Sequence, residues 1–381
     1  MARRGDLRRV WFQVHLWIGV LLSAVLIPLS LTGTLLVWHD WTDGIANPQR
    51  YNTSTQLASL PMSAYAQAAR AVLKPDERIA SVELPDHAGS PVVVTAAGKP
   101  VKGARPGSAP RPTVWLDPAT ARVLDQGDAN TGVLRILHVF HGTLNIPEVG
   151  RKVVGWFGWA MLTSALTGLW LWWPRNGAVL KGLRWTRGPL FTGNLHHLVG
   201  FWICIPLATL AFTGAYISFP QTMKAAVAPL VGEARAKGAG PAQGGPRGRA
   251  RPVAETMLTP DQAAARALES AQGGRADARV TRLGWPTEKS SDWTVRLTGT
   301  TAEVKVADAS GEVSVDAPKG GTDGVARVMR QIHYGTDTGP VWQAIIFLGG
   351  IAPLLLGVTG VVMWLKNRAG RRAVEAARRG R

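Results

Sequence analysis

One cysteine, Cys204, stands among 381 residues, and it lies inside a long apolar run. A disulfide framework, a Cys-based metal site and C-x-x-C-H attachment of a haem are all excluded by that count. No G-x-G-x-x-G follows a predicted strand, so neither a nicotinamide nor a flavin dinucleotide has its usual seat. No nucleophile or acid–base constellation is in evidence. The first apolar run is too long for a signal-peptide core, and no A-x-A-like cleavage site follows it, so it is expected to stay as an anchor. Acid is scarce too: 25 Asp and Glu face 43 Lys and Arg, for a net charge of +18.

Four stretches without charge are what fill the chain instead: Val14–Val37, Val153–Trp173, Leu198–Phe219 and Val341–Leu365. Each has the roughly 20 apolar residues needed to cross ~30 Å of hydrocarbon as a helix. One such run is within reach of a buried core helix; four indicate an integral membrane protein. The cations sort by side. Arg3, Arg4, Arg8 and Arg9 precede the first run, Arg175, Lys181, Arg184 and Arg187 separate the second from the third, and Lys366 to Arg381 follow the fourth. Positive charge marks the cytoplasmic side, so both termini are expected inside. The charge then reports topology and contact with anionic lipid headgroups, and nucleic acid is not an expected partner.

The two long segments on the other side repeat a pattern. Each holds a helix-like stretch (SAYAQAARAVL; TPDQAAARALESA), a β-patterned stretch (SPVVVTAAG; SDWTVRLTG) and a strand–turn–strand signal (TVWLDPATARVLD; AEVKVADASGEVSVD). Gly238–Pro252 is rich in Gly and Pro and reads as a flexible loop. Each segment is expected to be a small α+β module. The membrane runs repeat as well. VHLWIGVLLSAVLIPLSLTG aligns without a gap on LHHLVGFWICIPLATLAFTG, matching His15 with His196 and Thr32-Gly33 with Thr213-Gly214. At a second constant offset His141 matches His333, Arg135 matches Arg327 and Thr167-Gly168 matches Thr359-Gly360. The expected fold is an α-helical four-span bundle with internal duplication, carrying two outer modules. Its boundaries are 10–40, 131–174, 195–220 and 323–366 for the spans with their interfacial helices, 41–130 and 221–322 for the modules, 175–194 for a basic loop and 367–381 for a basic tail.

Seven of the eight histidines lie near span ends. His15, His196 and His197 mark the cytoplasmic ends of the first and third spans; His39, His138, His141 and His333 lie toward the other face, and His87 lies in a module. GVLRILHVFHG and GVARVMRQIHYG read as short amphipathic helices in the interface. Neutral imidazoles paired across an apolar bundle suit the two axial positions of a b-type haem, whose macrocycle needs an apolar slot between helices. Two haems per chain are expected, one held by His15 and His196, the other by His141 and His333. His197, His138 and His39 are the alternates, although Arg330 replaces the match of His138. Arg135 and Arg327 are placed to neutralise propionates of one haem, and Arg184 or Arg187 those of the other. Zinc is the rival, but a closed zinc site takes three or four protein ligands, and no Cys or carboxylate lies in register. The Trp residues are expected to form an interfacial belt and the Thr-Gly pairs to allow close helix approach.

H-x-W-x-G…T-G in the first span, LDPATARVLD, and L-H-x-x-x-H-G-x-L ahead of the second span together resemble the PepSY-associated transmembrane family, over about Arg9 to Lys366. Length and topology are similar to those of its ferric-siderophore (ferrioxamine) reductases of the FoxB type. The resemblance implies a bacterial inner membrane, periplasmic PepSY-like modules and a haem-dependent oxidoreductase that reduces a ferric siderophore. The electron donor on this reading is a cytoplasmic partner or a quinol. The alternative is a non-enzymatic membrane anchor whose modules bind peptides or restrain a periplasmic protease, with structural histidines.

Overall fold

A computed structural model of the chain describes residues 4–54, 57–99, 109–173, 190–233, 250–272, 278–300, 302–317 and 320–379. Its helices are α1 (Arg4–Val37), α2 (His39–Ala46), α3 (Met62–Val72), α4 (Val133–Thr143), α5 (Gly150–Trp172), α6 (Phe191–Ser218), α7 (Pro220–Val227), α8 (Pro260–Gln272), α9 (Gly321–Tyr334) and α10 (Gly339–Arg379). The chain divides into a helical unit, Met1–His39, Leu137–Arg235 and Gly320–Arg381, and a sheet unit, Asp40–Ile136 and Ala236–Lys319. The bulk of the Gly/Pro-rich loop, 238–249, lies outside the described residues.

In the helical unit α1, α5, α6 and α10 are each long and apolar enough to cross a membrane. The protein is a multi-pass membrane protein. α1 packs on α5 and α10, and α6 packs on the same two, so α1 and α6 stand at opposite corners. Lipid tails remove the hydrophobic drive between helices, so close packing of small residues holds such a bundle. A Cβ on Gly158 of α5 would come within 3.1 Å of the Ala211 carbonyl oxygen and 3.3 Å of the Ala215 Cβ on α6. A Cβ on Gly350 of α10 would likewise come within 3.0 Å of the Ser30 carbonyl oxygen and 3.1 Å of the Thr34 Cβ on α1. The fourth membrane helix continues into the basic tail. α10 runs on through KNRAGRRAVEAARR to Arg379, because Ala, Arg and Glu favour helix as strongly as the apolar run before them.

The sheet unit holds β1 (Arg78–Glu83), β2 (Val92–Ala97), β3 (Pro112–Leu116), β4 (Val123–Asp128), β5 (Val280–Gly284), β6 (Asp292–Leu297), β7 (Glu303–Ala307) and β8 (Val313–Asp316). They form one antiparallel sheet in the order β4-β3-β2-β1-β5-β6-β7-β8. This differs from the expected pair of separate modules. β1 pairs with β5 through Ser81↔Gly284, Val82↔Leu283 and Glu83↔Arg282, which joins the two four-stranded halves. Two open edges with unpaired N–H and C=O groups are thereby removed from solvent. The core is continuous across the joint: Tyr65, Val82, Leu283 and Trp293 are all fully buried in one cluster. α3 meets α8, where Ser63 donates from its backbone N–H (3.1 Å) and its hydroxyl to the Asp261 carboxylate.

Candidate functional site

His15 on α1 and His196 on α6 face each other across the bundle from opposite corners. Their ring centres are 6.3 Å apart and their planes stand at 87°. The His15 Nδ1 lies 3.0 Å from the Ser164 carbonyl oxygen and 3.3 Å from the Thr167 Oγ1, both on α5. The His196 Nδ1 lies 2.9 Å from the Thr359 Oγ1 on α10. A carbonyl oxygen only accepts, so Nδ1 of His15 carries the hydrogen and Nε2 is left with its lone pair.

A second pair repeats this arrangement. His141 on α4 and His333 on α9 have ring centres 6.2 Å apart, with planes at 39°. The His141 Nδ1 lies 2.8 Å from the Leu29 carbonyl oxygen and 3.3 Å from the Thr32 Oγ1 on α1. The His333 Nδ1 lies 3.0 Å from the Thr213 Oγ1 on α6. Burial lowers the pKa of His333 to about 4, with His141 adding to the shift. Burial likewise lowers that of His141, with His138 adding to it. Both rings are neutral at physiological pH, the state a metal ligand requires.

All four histidines sit on a Thr-Gly pair of another helix. The threonine faces Nδ1, and the absent glycine side chain makes room for the ring edge. A Cβ would stand 3.0 Å from His15 Cε1 at Gly168, 3.5 Å from His196 Cε1 at Gly360, 2.7 Å from His141 Cε1 at Gly33 and 2.9 Å from His333 Cε1 at Gly214. The pairs therefore do allow close approach, as their composition indicates, and what approaches is an imidazole. On α1, His15 and the seat at Thr32 are 17 residues apart, as are His196 and Thr213 on α6. At ~1.5 Å per residue both helices separate the two centres by about 25 Å.

The ring spacing fits a shared metal between each pair. Two imidazole nitrogens about 2.0–2.1 Å from one metal, on opposite sides of it, put the ring centres roughly 6 Å apart. No group of three or more His, Cys, Asp or Glu gathers among the described residues, so no tetrahedral donor set is assembled there. Beside the first pair opens a cavity of about 900 Å³, within the range of small-molecule sites. Leu16, Val20, Leu26, Ile27 and Phe201 give it apolar walls. Gly19 and Gly200, each one helical turn beyond a histidine, also line it, and a Cβ at Gly19 would meet nothing within 4 Å. These residues fit a flat apolar macrocycle held edge-in between helices.

The remaining expected residues are placed as follows. His197 is exposed and lines the same cavity, its ring centre 6.5 Å from that of His196. His138 on α4 is exposed, as is Arg330, its match on α9. His39 is exposed at the start of α2, and His87 is exposed with its Nε2 3.0 Å from the Ser90 hydroxyl. Arg135 is exposed and Arg327 half-buried, each six residues ahead of the histidine its helix presents. Arg184 and Arg187 lie outside the described residues. The cations that line the cavity of the first pair are Arg8, Arg9, Arg368, Arg371 and Arg372. Arg8 also donates to the Leu171 carbonyl oxygen at 2.6 Å. Read as topology signals alone, these arginines are easily passed over. Yet Arg8 stands seven residues before His15, two turns away on the same helical face.

A family model described as PepSY-associated TM region matches residues 12–367. The chain belongs to this family. No curated protein matches it. The match covers all four histidines and all four Thr-Gly seats, so the whole two-centre arrangement lies within the PepSY-associated TM region.

Proposed function

We propose that this PepSY-associated TM protein is a di-haem reductase of the bacterial inner membrane, passing electrons from a cytoplasmic or quinol donor to a periplasmic ferric siderophore. The carrying observation is the pair of imidazole pairs, each at haem-ligand spacing and about 25 Å apart along the bundle. Haem b held at these positions supplies reversible one-electron chemistry. His15 and His196 would hold one group, and His141 and His333 the other. Arg8, Arg9 and Arg368 lie where propionates of the first would need counter-charge; Arg135 and Arg327 serve the second. Apolar cavity walls exclude water from the ligand bonds. Electron delivery frees the metal because siderophore oxygen donors hold Fe(III) far more tightly than the softer Fe(II).

The match of Gly158·Ala211·Ala215 with Gly350·Ser30·Thr34, and of the four seats at the same two offsets, supports an origin by internal duplication. On this reading both termini are cytoplasmic and the sheet unit is periplasmic, in keeping with the Arg-rich ends of α1 and α10.

The test is the purified protein. It is expected to be red, with a Soret band that sharpens and shifts on dithionite and about two haems per chain by pyridine haemochrome. His15→Ala or His196→Ala should each remove one haem, and His141→Ala or His333→Ala the other. Colourless protein from haem-replete cells would end the proposal and leave a membrane-anchored binding module. Reoxidation of the reduced protein by a panel of ferric siderophores then identifies the substrate.

A further inference from the structure

Each seat threonine spends its own hydrogen within its helix. Thr32 donates to the Pro28 and Leu29 carbonyl oxygens (2.9 Å each), and Thr167 to those of Thr163 (2.7 Å) and Ser164 (3.1 Å). Thr213 donates to those of Thr209 (2.8 Å) and Leu210 (3.1 Å), and Thr359 to those of Leu355 (2.6 Å) and Leu356 (3.2 Å). A hydroxyl whose hydrogen is so committed offers the imidazole only a lone pair. Nδ1 must then be the donor at all four rings, which leaves every Nε2 as the ligand nitrogen.

The four seats are not equal. His15 and His141 each have a main-chain carbonyl as the nearer acceptor, at 3.0 and 2.8 Å, with the hydroxyl at 3.3 Å. For His196 and His333 the well-aligned bond goes to the hydroxyl, at 2.9 and 3.0 Å, with the Leu356 and Leu210 main-chain carbonyls as further acceptors. Each pair thus combines one ring whose close bond is to main chain with one whose close bond is to a side chain. We infer that these threonines are positioning residues that lock the ligand tautomer, with Thr213 and Thr359 carrying the lock and Thr32 and Thr167 backing up a main-chain bond. The inference rests on the di-haem reading for its consequence on potential, and on the geometry alone for the tautomer. An acceptor on Nδ1–H makes the imidazole a stronger donor, which favours the ferric state. Losing that acceptor therefore raises the potential.

The experiment takes the full chain in nanodiscs and compares T32V, T167V, T213V and T359V with T213S and T359S. Val keeps the shape and removes the acceptor; Ser restores it. In potentiometric titration T213V and T359V should each shift one haem upward, raising its reduced-to-oxidised ratio at fixed potential about fivefold, the worth of one hydrogen bond. The matching low-spin EPR signal should move with it. T213S and T359S should return both readings, and T32V and T167V should change the ratio by less than about twofold. Two haems retained with no shift, or equal shifts from all four Val variants, would overturn the inference and leave the di-haem reading standing. A wild-type chain without haem would overturn that reading instead. The lock is then decided in the colourless protein by ¹⁵N spectra of labelled histidine. A single Nδ1–H form that T213V and T359V turn into a tautomer mixture upholds it; unchanged spectra refute it.

Discussion

The glycine of each Thr-Gly pair makes the seat graded at the scale of single atoms. Non-bonded carbons rest about 3.5–4.0 Å apart, so the Cβ positions at Gly33 (2.7 Å from His141) and Gly360 (3.5 Å from His196) fall on opposite sides of tolerance. Gly33→Ala is expected to push His141 off the Leu29 carbonyl and, on the di-haem proposal, to cut the haem content by about one per chain. Gly360→Ala should keep both haems with an unchanged Soret band. Pyridine haemochrome on the two variants checks the contrast, and equal behaviour would contradict it. The histidine pairs themselves are legible in the sequence, because register alone matches His15 with His196 and pairs His197 with Leu16. The seats are legible only as small-residue devices. What sits on them is a residue some 150 positions away in the chain, as with His15 on Thr167, and no local periodicity records such a contact.

At the scale of elements, the strands that decide the architecture are the ones with the weakest pattern. β2, β3, β6 and β7 announce themselves through VVVT, TVWL, DWTV and EVKV, whereas RIASVE and VTRLG mix charge, Gly and small residues. Those two strands are the joint that turns two expected modules into one sheet. Their ambiguity follows from their place: flanked by strands on both sides, they carry the polar Ser81, Glu83 and Arg282 on one face and Val82 and Leu283 on the other. The Arg282 side chain pairs with Glu83 across the joint at 2.8 Å. A shared core makes the halves cooperative. Leu283→Ala deletes a fully buried side chain paired with Val82 and is expected to cost about 2–5 kcal/mol. Hydrogen exchange should then speed up in β2 of the first half as well as in β6 of the second. Faster exchange confined to β6 and its neighbours would mean that the joint does not couple the halves.

For the molecule as a whole, direction across the membrane follows from where charge sits on the two longest helices. Arg8 and Arg9 open α1, while Arg368, Arg371, Arg372, Arg378 and Arg379 close α10, and the first five of these line the cavity beside His15 and His196. Moving such a cluster through hydrocarbon costs at least about 2.5 kcal/mol per Arg on insertion scales, so the proposed topology keeps the end that carries the cavity where the chain is made. On the same proposal the segments that build the sheet are periplasmic. The scarcity of cysteine makes this measurable: Cys204 is the one thiol and it is buried. In a Cys204→Ala background, Ser314→Cys on β8 and Ala373→Cys near the end of α10 each offer one exposed reporter. A membrane-impermeant maleimide is expected to label S314C in intact spheroplasts and A373C only after permeabilisation. The reverse pattern would overturn the proposed topology and place the Arg-lined cavity outside.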